Sequence, residues 1–375
     1  MVDTGHPLLV VAASARTLAR SAVRADRNVT AIDGFGDLDT RRSAHRYRYV
    51  ALGPQGFDRT TLIQTLNRHP GHTLVYGGGL EWTPDLLVGL RNDIEVAGNA
   101  PEVLQTLTDA ERLFAELTRL VIPYPEVRHS PPNDDGAWLS KRAAACGGGH
   151  VRWWQAGEPH DAGRYFQRYA AGTPYSVVFL ANRHAFRVVG WNTLLGPDER
   201  LGFRYRGAIN RADALDARAR IEVHGWIHRL VMTLGLVGLN GIDFVLTTQG
   251  PLLIDLNARP PATMSLYDPE YPHGLVQAHI EAGWGILPTT PQTHPVRAHE
   301  VVPAPRRLTI PAGFCWPDWC ADIPAAGTRV PESAPVCSVL ARAAAHYLRR
   351  LLAERKARVV ADLMRTETAS QALAS

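Results

Sequence analysis

Residues 235–261, GLVGLNGIDFVLTTQGPLLIDLNARPP, constrain the fold more than any other stretch of the chain. Two apolar runs, 242–246 and 251–256, flank the polar turn Thr247-Thr248-Gln249-Gly250. A β-rich run, a turn ending in Gly and a second apolar run predict a β-hairpin. Asp243 falls on the first strand, and Asp255 and Asn257 fall on the second. Strand residues i and i+2 share a face, so Asp255 and Asn257 project together, and pairing across the turn can bring Asp243 beside them. An isolated Asp in a strand is ordinarily a solvated edge or turn residue. Acidic and amide side chains inside the apolar run Leu-Leu-Ile-Asp-Leu-Asn are different, because each costs several kcal/mol unless paired or bound to a metal. Three hard oxygen donors in one small patch suit Mg²⁺. Arg259, two residues further on, adds a positive charge suited to phosphate or carboxylate.

Length and composition narrow the class. A chain of 375 residues has room for two or three domains and ample core. The formal charge is +4, from 40 basic and 36 acidic residues, with no basic run, which argues against a nucleic-acid footprint. No apolar stretch approaches the ~20 residues that span a bilayer, and the N-terminus does not read as a signal peptide. Four cysteines do not make a disulfide framework. Cys315 and Cys320 could be half a metal site, but no second pair completes it, so idle thiols are expected. The expectation is a soluble, cytoplasmic, reduced protein with no nucleic-acid or membrane partner.

Taken in order, the chain opens with a strand at 8–13, a helix from Ser14 to Ala25 and a second strand at 28–32, a βαβ unit that favours a parallel sheet. No G-x-G-x-x-G follows the first strand, so a dinucleotide fingerprint is missing. A short strand at 74–76 ends in Gly77-Gly78-Gly79, then Glu81. Asn99-Ala100-Pro101-Glu102 starts a helix predicted to run to about Leu120. Trp138-Leu139-Ser140-Lys141 reads as a strand leading to Gly147, Gly148 and Gly149. The chain has only two lysines, Lys141 and Lys356, so a Lys shortly before a glycine-rich loop stands out. A Lys at a strand end can hold a phosphate by charge, and the loop's backbone N–H groups can cradle a triphosphate. A plain surface hairpin is the ordinary alternative. Residues 212–234 predict a helix stopped by Gly235, with His224 and His228 at i, i+4 but no third zinc ligand motif. Beyond about Ile286 come short strands separated by Pro and Gly, then an Arg-rich amphipathic helix over 341–364 and a small polar tail expected to fray.

Gly241-Ile242-Asp243-Phe244, the hairpin and Leu253-Ile254-Asp255-Leu256-Asn257-Ala258-Arg259-Pro260 together resemble the metal-binding hairpin of ATP-grasp enzymes. Asp255 stands where that family more often has Glu. The resemblance covers roughly residues 8–280 and extends to Lys141 with its glycine loop, which is similar to the family's lid. Residues 164–179 resemble its hinge, where Gln167 and backbone groups of Arg168, Tyr169 and Ala170 would meet adenine. Two departures stand out: Thr108-Asp109-Ala110-Glu111 offers no phosphate-contacting Lys, and Pro174 replaces the Glu that usually holds the ribose.

The resemblance implies an α/β ATP-grasp fold. An N-terminal parallel-sheet domain would occupy 1–98, and a nucleotide and metal domain 99–285, with a lid at about 126–170. A small β-rich C-terminal domain with its helix would occupy 286–375. It also implies ATP with one or two Mg²⁺ as cofactors, the metal on Asp243, Asp255 and Asn257. Lys141 and Arg259 would carry the catalysis of an ATP-dependent ligase forming a C–N bond between a small-molecule carboxylate and an amine, through an acyl phosphate. A homodimer is compatible with this reading. The subgroup most similar comprises carboligases related to biotin carboxylase in one-carbon cofactor pathways, implying a role in making a tetrahydromethanopterin- or methanofuran-type carrier. Two other readings stay open: a nucleotide-binding regulatory protein of the same shape, and a carboxylase that activates bicarbonate.

Overall fold

The computed structural model describes residues 6–53, 56–80, 83–158, 161, 163–198, 201–291 and 294–374; Glu81 lies outside them. The predicted βαβ unit is the start of a five-stranded sheet in the order Arg46–Tyr49, Val29–Asp33, Leu8–Ala12, Thr73–Tyr76, Glu95–Ala97. Every neighbouring pair in it is parallel. The central strands are apolar and buried throughout, as a sheet covered on both faces requires.

Among the described residues two further large sheets follow, beside two small two-stranded ones. A four-stranded antiparallel sheet is built from Arg152–Trp153, Trp138–Arg142, Arg164–Arg168 and Val127–Arg128. An eight-stranded sheet runs from the hairpin, Gly250–Asn257 and Val237–Thr247, through Thr173–Asn182, Phe186–Leu194 and Gly207–Ile209 to Arg297–Pro303, Pro335–Arg342 and Cys320–Ala321. This is the mixed α/β ATP-grasp architecture, with a parallel sheet at the N-terminus and a large antiparallel one beside it. The strands beyond residue 286 continue that large sheet: Gly207 pairs with Glu300 and Ile209 with Ala298. Their apolar side chains nevertheless form a separate core with Leu348, Leu352, Val359 and Leu363 of the terminal helix.

Two helical expectations change in detail. The predicted single helix after Asn99 is two, Pro101–Thr108 and Ala110–Arg119. Asp109 breaks it, because its side chain accepts the Arg112 N–H and caps the second helix. The terminal helix is Ala345–Ala374, so the chain stays helical to that residue, while Ala341 and Arg342 belong to the preceding strand. No helix among the described residues is long and apolar enough to cross a membrane.

A buried amide pair fixes the parallel-sheet domain against the hairpin. Asn99, 1% exposed, donates Nδ2 to Asn240 Oδ1 at 2.8 Å and to the Ala258 carbonyl at 2.9 Å. Its Oδ1 accepts the Val237 N–H at 2.8 Å. One side chain therefore holds both hairpin strands. Nearby, His279 accepts the Leu239 N–H on Nδ1 at 2.8 Å and donates from Nε2 to the Ala97 carbonyl at 3.0 Å. That pairing defines a neutral ring, and burial pushes its pKa down to about 4.

Asn99→Ala strands three buried polar partners, each worth about 1 kcal/mol or more. We predict a loss of about 3 kcal/mol in chemical denaturation, against a near-neutral result if solvent replaces the amide.

Candidate active site

The hairpin is not a plain ladder. Asp243 pairs with Asp255 and Gly241 with Asn257, yet Phe244 pairs with Leu253, so Ile254 is an extra residue, a β-bulge. The bulge reverses the alternation. Pro251 and Leu253 are buried before it, whereas after it Leu256 is buried and Asp255 and Asn257 turn outward. It also frees the Ile254 carbonyl, which accepts Lys141 Nζ at 3.1 Å. Lys141 additionally donates to Gln167 Oε1 at 3.2 Å and lies 5.7 Å from the Tyr165 ring centre. The lid strand bearing Lys141 is thereby held over the bulge.

Opposed carboxylates on a ladder repel. Burial first, and then the Asp255 charge, raise the Asp243 pKa to about 7, while Arg259 and Lys141 oppose the rise. Burial disfavours the Lys141 ammonium, but Tyr165, Asp255 and Asp243 outweigh it and its pKa is raised above the usual lysine value. Arg259 donates to Asn257 Oδ1 at 2.9 Å, and its guanidinium lies against Gly78 of the glycine turn that ends the strand Thr73–Tyr76. Asp255, Asn257 and Arg259 line a cavity with Gly77, Leu104, Thr108, Ala143 and Ala145. Parallel-sheet domain, hairpin and lid thus converge there.

Other predicted residues fall elsewhere. Gly147, Gly148 and Gly149 do not line that cavity; the Gly147 carbonyl accepts the Tyr205 N–H at 2.9 Å. At the hinge, the Arg168 and Tyr169 N–H groups are already donated to the carbonyls of Glu126 and Ala137, both at 2.8 Å. Gln167 is 2% exposed; its Oε1 takes Lys141, and its Nε2 has no partner among the described residues. The His224 ring packs at a tilt on Phe186, with ring centres 4.5 Å apart. Among the described residues no three His, Cys, Asp or Glu side chains gather as a metal cluster, so a cation here would rest on two carboxylates and the Asn257 amide. Hard oxygen donors of this kind fit Mg²⁺, and a cation here would favour ionised Asp243, whose pKa is raised first by burial and then by the Asp255 charge.

Sequence reasoning missed His150 and the bulge. Burial, followed by the charges of Lys141 and Arg164, pushes the His150 pKa down to about 4, and its Nδ1 has no partner among the described residues. Its place directly after three glycines was the available signal. The available signal for the bulge was Leu252-Leu253-Ile254, three apolar residues in succession before Asp255 where alternation would be expected.

Comparison with known proteins agrees with this architecture. Residues 108–263 match the family model described as ATP-grasp domain. The biotin carboxylase domain dimer of Hydrogenobacter thermophilus 2-oxoglutarate carboxylase, solved with MgADP, ADP and bicarbonate, is similar at a TM-score of 0.69 and 13% identity, covering 92% of this chain and 88% of that one. N5-carboxyaminoimidazole ribonucleotide synthetase from Thermus thermophilus gives 0.66 and 13%, covering 96% and 98%. Biotin carboxylase from Campylobacter jejuni, in a complex with an ATP analogue, gives 0.67 and 13%, covering 89% and 87%. No curated protein matches the sequence of this chain.

Replacing Asp255 by Asn removes the opposing charge while keeping the shape, which favours ionised Asp243. We predict that carboxyl NMR titration places the Asp243 pKa in D255N clearly below the value of about 7 in the parent; an unchanged value would separate the two carboxylates electrostatically.

Proposed function

We propose that this chain is an ATP- and Mg²⁺-dependent ligase that activates a carboxylate as an acyl phosphate and joins it to an amine. The observation that carries the reading is the convergence of Asp243 and Asp255, paired across the hairpin, with Lys141 above the bulge and Arg259 on Asn257. Two carboxylates and two cations around one cleft suit phosphoryl transfer, which needs positioning and charge neutralisation more than a covalent nucleophile.

Asp243, Asp255 and Asn257 would hold Mg²⁺, which when bound with nucleotide neutralises charge on the terminal phosphates. Lys141, held on the Ile254 carbonyl with its ammonium reinforced, would meet the phosphates as a full positive charge. Ala143 and Ala145 of the segment 143–150 line the cleft, and the segment would keep water from the activated acid. Arg259, braced by Asn257 and packed on Gly78, is placed to stabilise oxyanion charge as the amine attacks. Pro174 brings no carboxylate to the hinge, so ribose recognition falls to other groups.

Bicarbonate is the second candidate for the activated acid. It is favoured by the bicarbonate named with the Hydrogenobacter thermophilus domain. The assignment to one-carbon-carrier cofactor synthesis rests on sequence resemblance alone, and pterin and furan precursors therefore belong in the substrate panel.

The test is Mg²⁺-dependent ADP release across a panel of acids, bicarbonate included, each with and without amines. Release that requires both an acid and an amine supports ligation. Tight ATP binding with no turnover anywhere in the panel would instead make the chain a nucleotide-binding module. Asp255→Ala is expected to abolish turnover with the fold retained by circular dichroism. Lys141→Ala is expected to raise KM for ATP and lower kcat by roughly a hundredfold.

A further inference from the structure

The segment Phe203-Arg204-Tyr205 joins the strands Phe186–Leu194 and Gly207–Ile209, and its surroundings are unusual for a connection. On one side it is anchored in the large sheet. Tyr205 Oη lies 2.6 Å from Nε2 of His299, which is 6% exposed on the strand Arg297–Pro303. The next residue, Arg206, donates to the Gly196 carbonyl at 3.1 Å and to Glu300 at 3.2 Å, and Arg204 donates to the Ser333 carbonyl at 3.2 Å.

On the other side it grips the lid. The Tyr205 N–H donates to the Gly147 carbonyl at 2.9 Å. Gly148 has φ +71°, and a Cβ there would lie 2.0 Å from the Phe203 carbonyl oxygen, so only Gly lets the two backbones meet. The Phe203 ring packs edge-on to Trp153 at 5.4 Å and to Tyr169 at 6.3 Å, and those two rings are 4.9 Å apart. Trp153 belongs to the lid sheet and Tyr169 follows the strand Arg164–Arg168 at the hinge.

We propose that Phe203-Arg204-Tyr205 is a catch that holds the glycine loop 143–150 closed over the hairpin, with Phe203 and Tyr205 as positioning residues for that loop. The inference rests on the reading of this loop as the cover of the phosphate site. Among the described residues, loop and catch meet through a backbone hydrogen bond and the close approach of Gly148, beside which Gly149 faces Arg204, and the aromatic cluster just beyond the loop sits at the rim, where Trp153 and Tyr169 are 48% and 38% exposed. Contacts of that kind can part and re-form without disturbing the buried sheet beneath. The catch remains fixed to His299 and Glu300 while the loop swings, so a nucleotide enters by unhooking the loop.

Hydrogen exchange on the full chain without nucleotide tests this directly. In Phe203→Ala, amides of 145–151 should exchange roughly tenfold faster, while those of the hairpin 237–257 keep their protection. Phe203→Tyr, which retains the ring, should restore the parent rate. Trp153→Ala attacks the cluster from the lid side at an exposed position and should reproduce the faster exchange should Phe203→Ala fold poorly. Unchanged loop exchange in both alanine variants would overturn the catch, as would acceleration spread evenly over loop and hairpin. The readout needs no activity, so it stands apart from the ligase reading. If that reading also holds, Phe203→Ala should raise KM for ATP more than it lowers kcat, and Phe203→Tyr should recover both. Normal exchange effects with no ATP turnover in the parent would keep the catch and remove the ligase.

Discussion

Two carboxylates opposed on neighbouring strands are the constraint around which the structure is arranged. Asp243 and Asp255 face each other across the hairpin, and a sheet ordinarily avoids that pairing. The molecule answers it with cations brought from separate places: Lys141 from the lid and Arg259 from just beyond the hairpin. Asp243 still holds its proton more tightly than an ordinary carboxyl, first because it is buried and then because Asp255 faces it. A stability-optimised hairpin would have no use for such an arrangement, and a site for charged ligands would.

The parallel-sheet domain contributes rigidity. Asn99 clasps both hairpin strands, and His279 ties the strand ending at Ala97 to Leu239, so hairpin and first domain behave as one body. The C-terminal segment docks on the same domain from the far side. Asp39 accepts the N–H groups of Asp322 and Ile323, and Arg16 donates to Asp322 at 2.8 Å. The four-stranded sheet meets this frame through Tyr165, packed edge-on to Phe114 in the main core, through Lys141 on the Ile254 carbonyl, and at its margin through the Gly147 carbonyl and Trp153.

Much of this was legible in the residues. The hairpin, the parallel βαβ start, the lysine ahead of a glycine loop and the helix ended by Gly235 follow from alternation, turn chemistry and capping, which are local properties. What stayed hidden depends on partners remote in sequence. Nothing in residues 286–375 says that their strands would extend the large sheet through Gly207–Ile209, because an edge strand's partner is chosen by geometry and not by its own pattern. Phe203 and Tyr205 carry no motif, and their role shows only when Gly147, Gly148 and His299 are brought to them. Gln167 was expected to offer its carbonyl to a base, yet that oxygen already accepts Lys141. The helix break at Asp109 was readable and passed over, since Asp is a strong capping residue wherever it interrupts an apolar period.

The extra residue at Ile254 has a consequence for how this hairpin can change length. A strand's faces alternate with every residue, so straightening the bulge while keeping Ile254 in the ladder would slide the register by one and turn Asp255 and Asn257 toward the packed side, exchanging them with Leu256. The turn at Thr248 and Gln249 is exposed and lies beyond the charged residues, so insertions or deletions at its tip leave their facing untouched. The strand at the base of the hairpin thus behaves as a reading frame that changes at the tip leave intact.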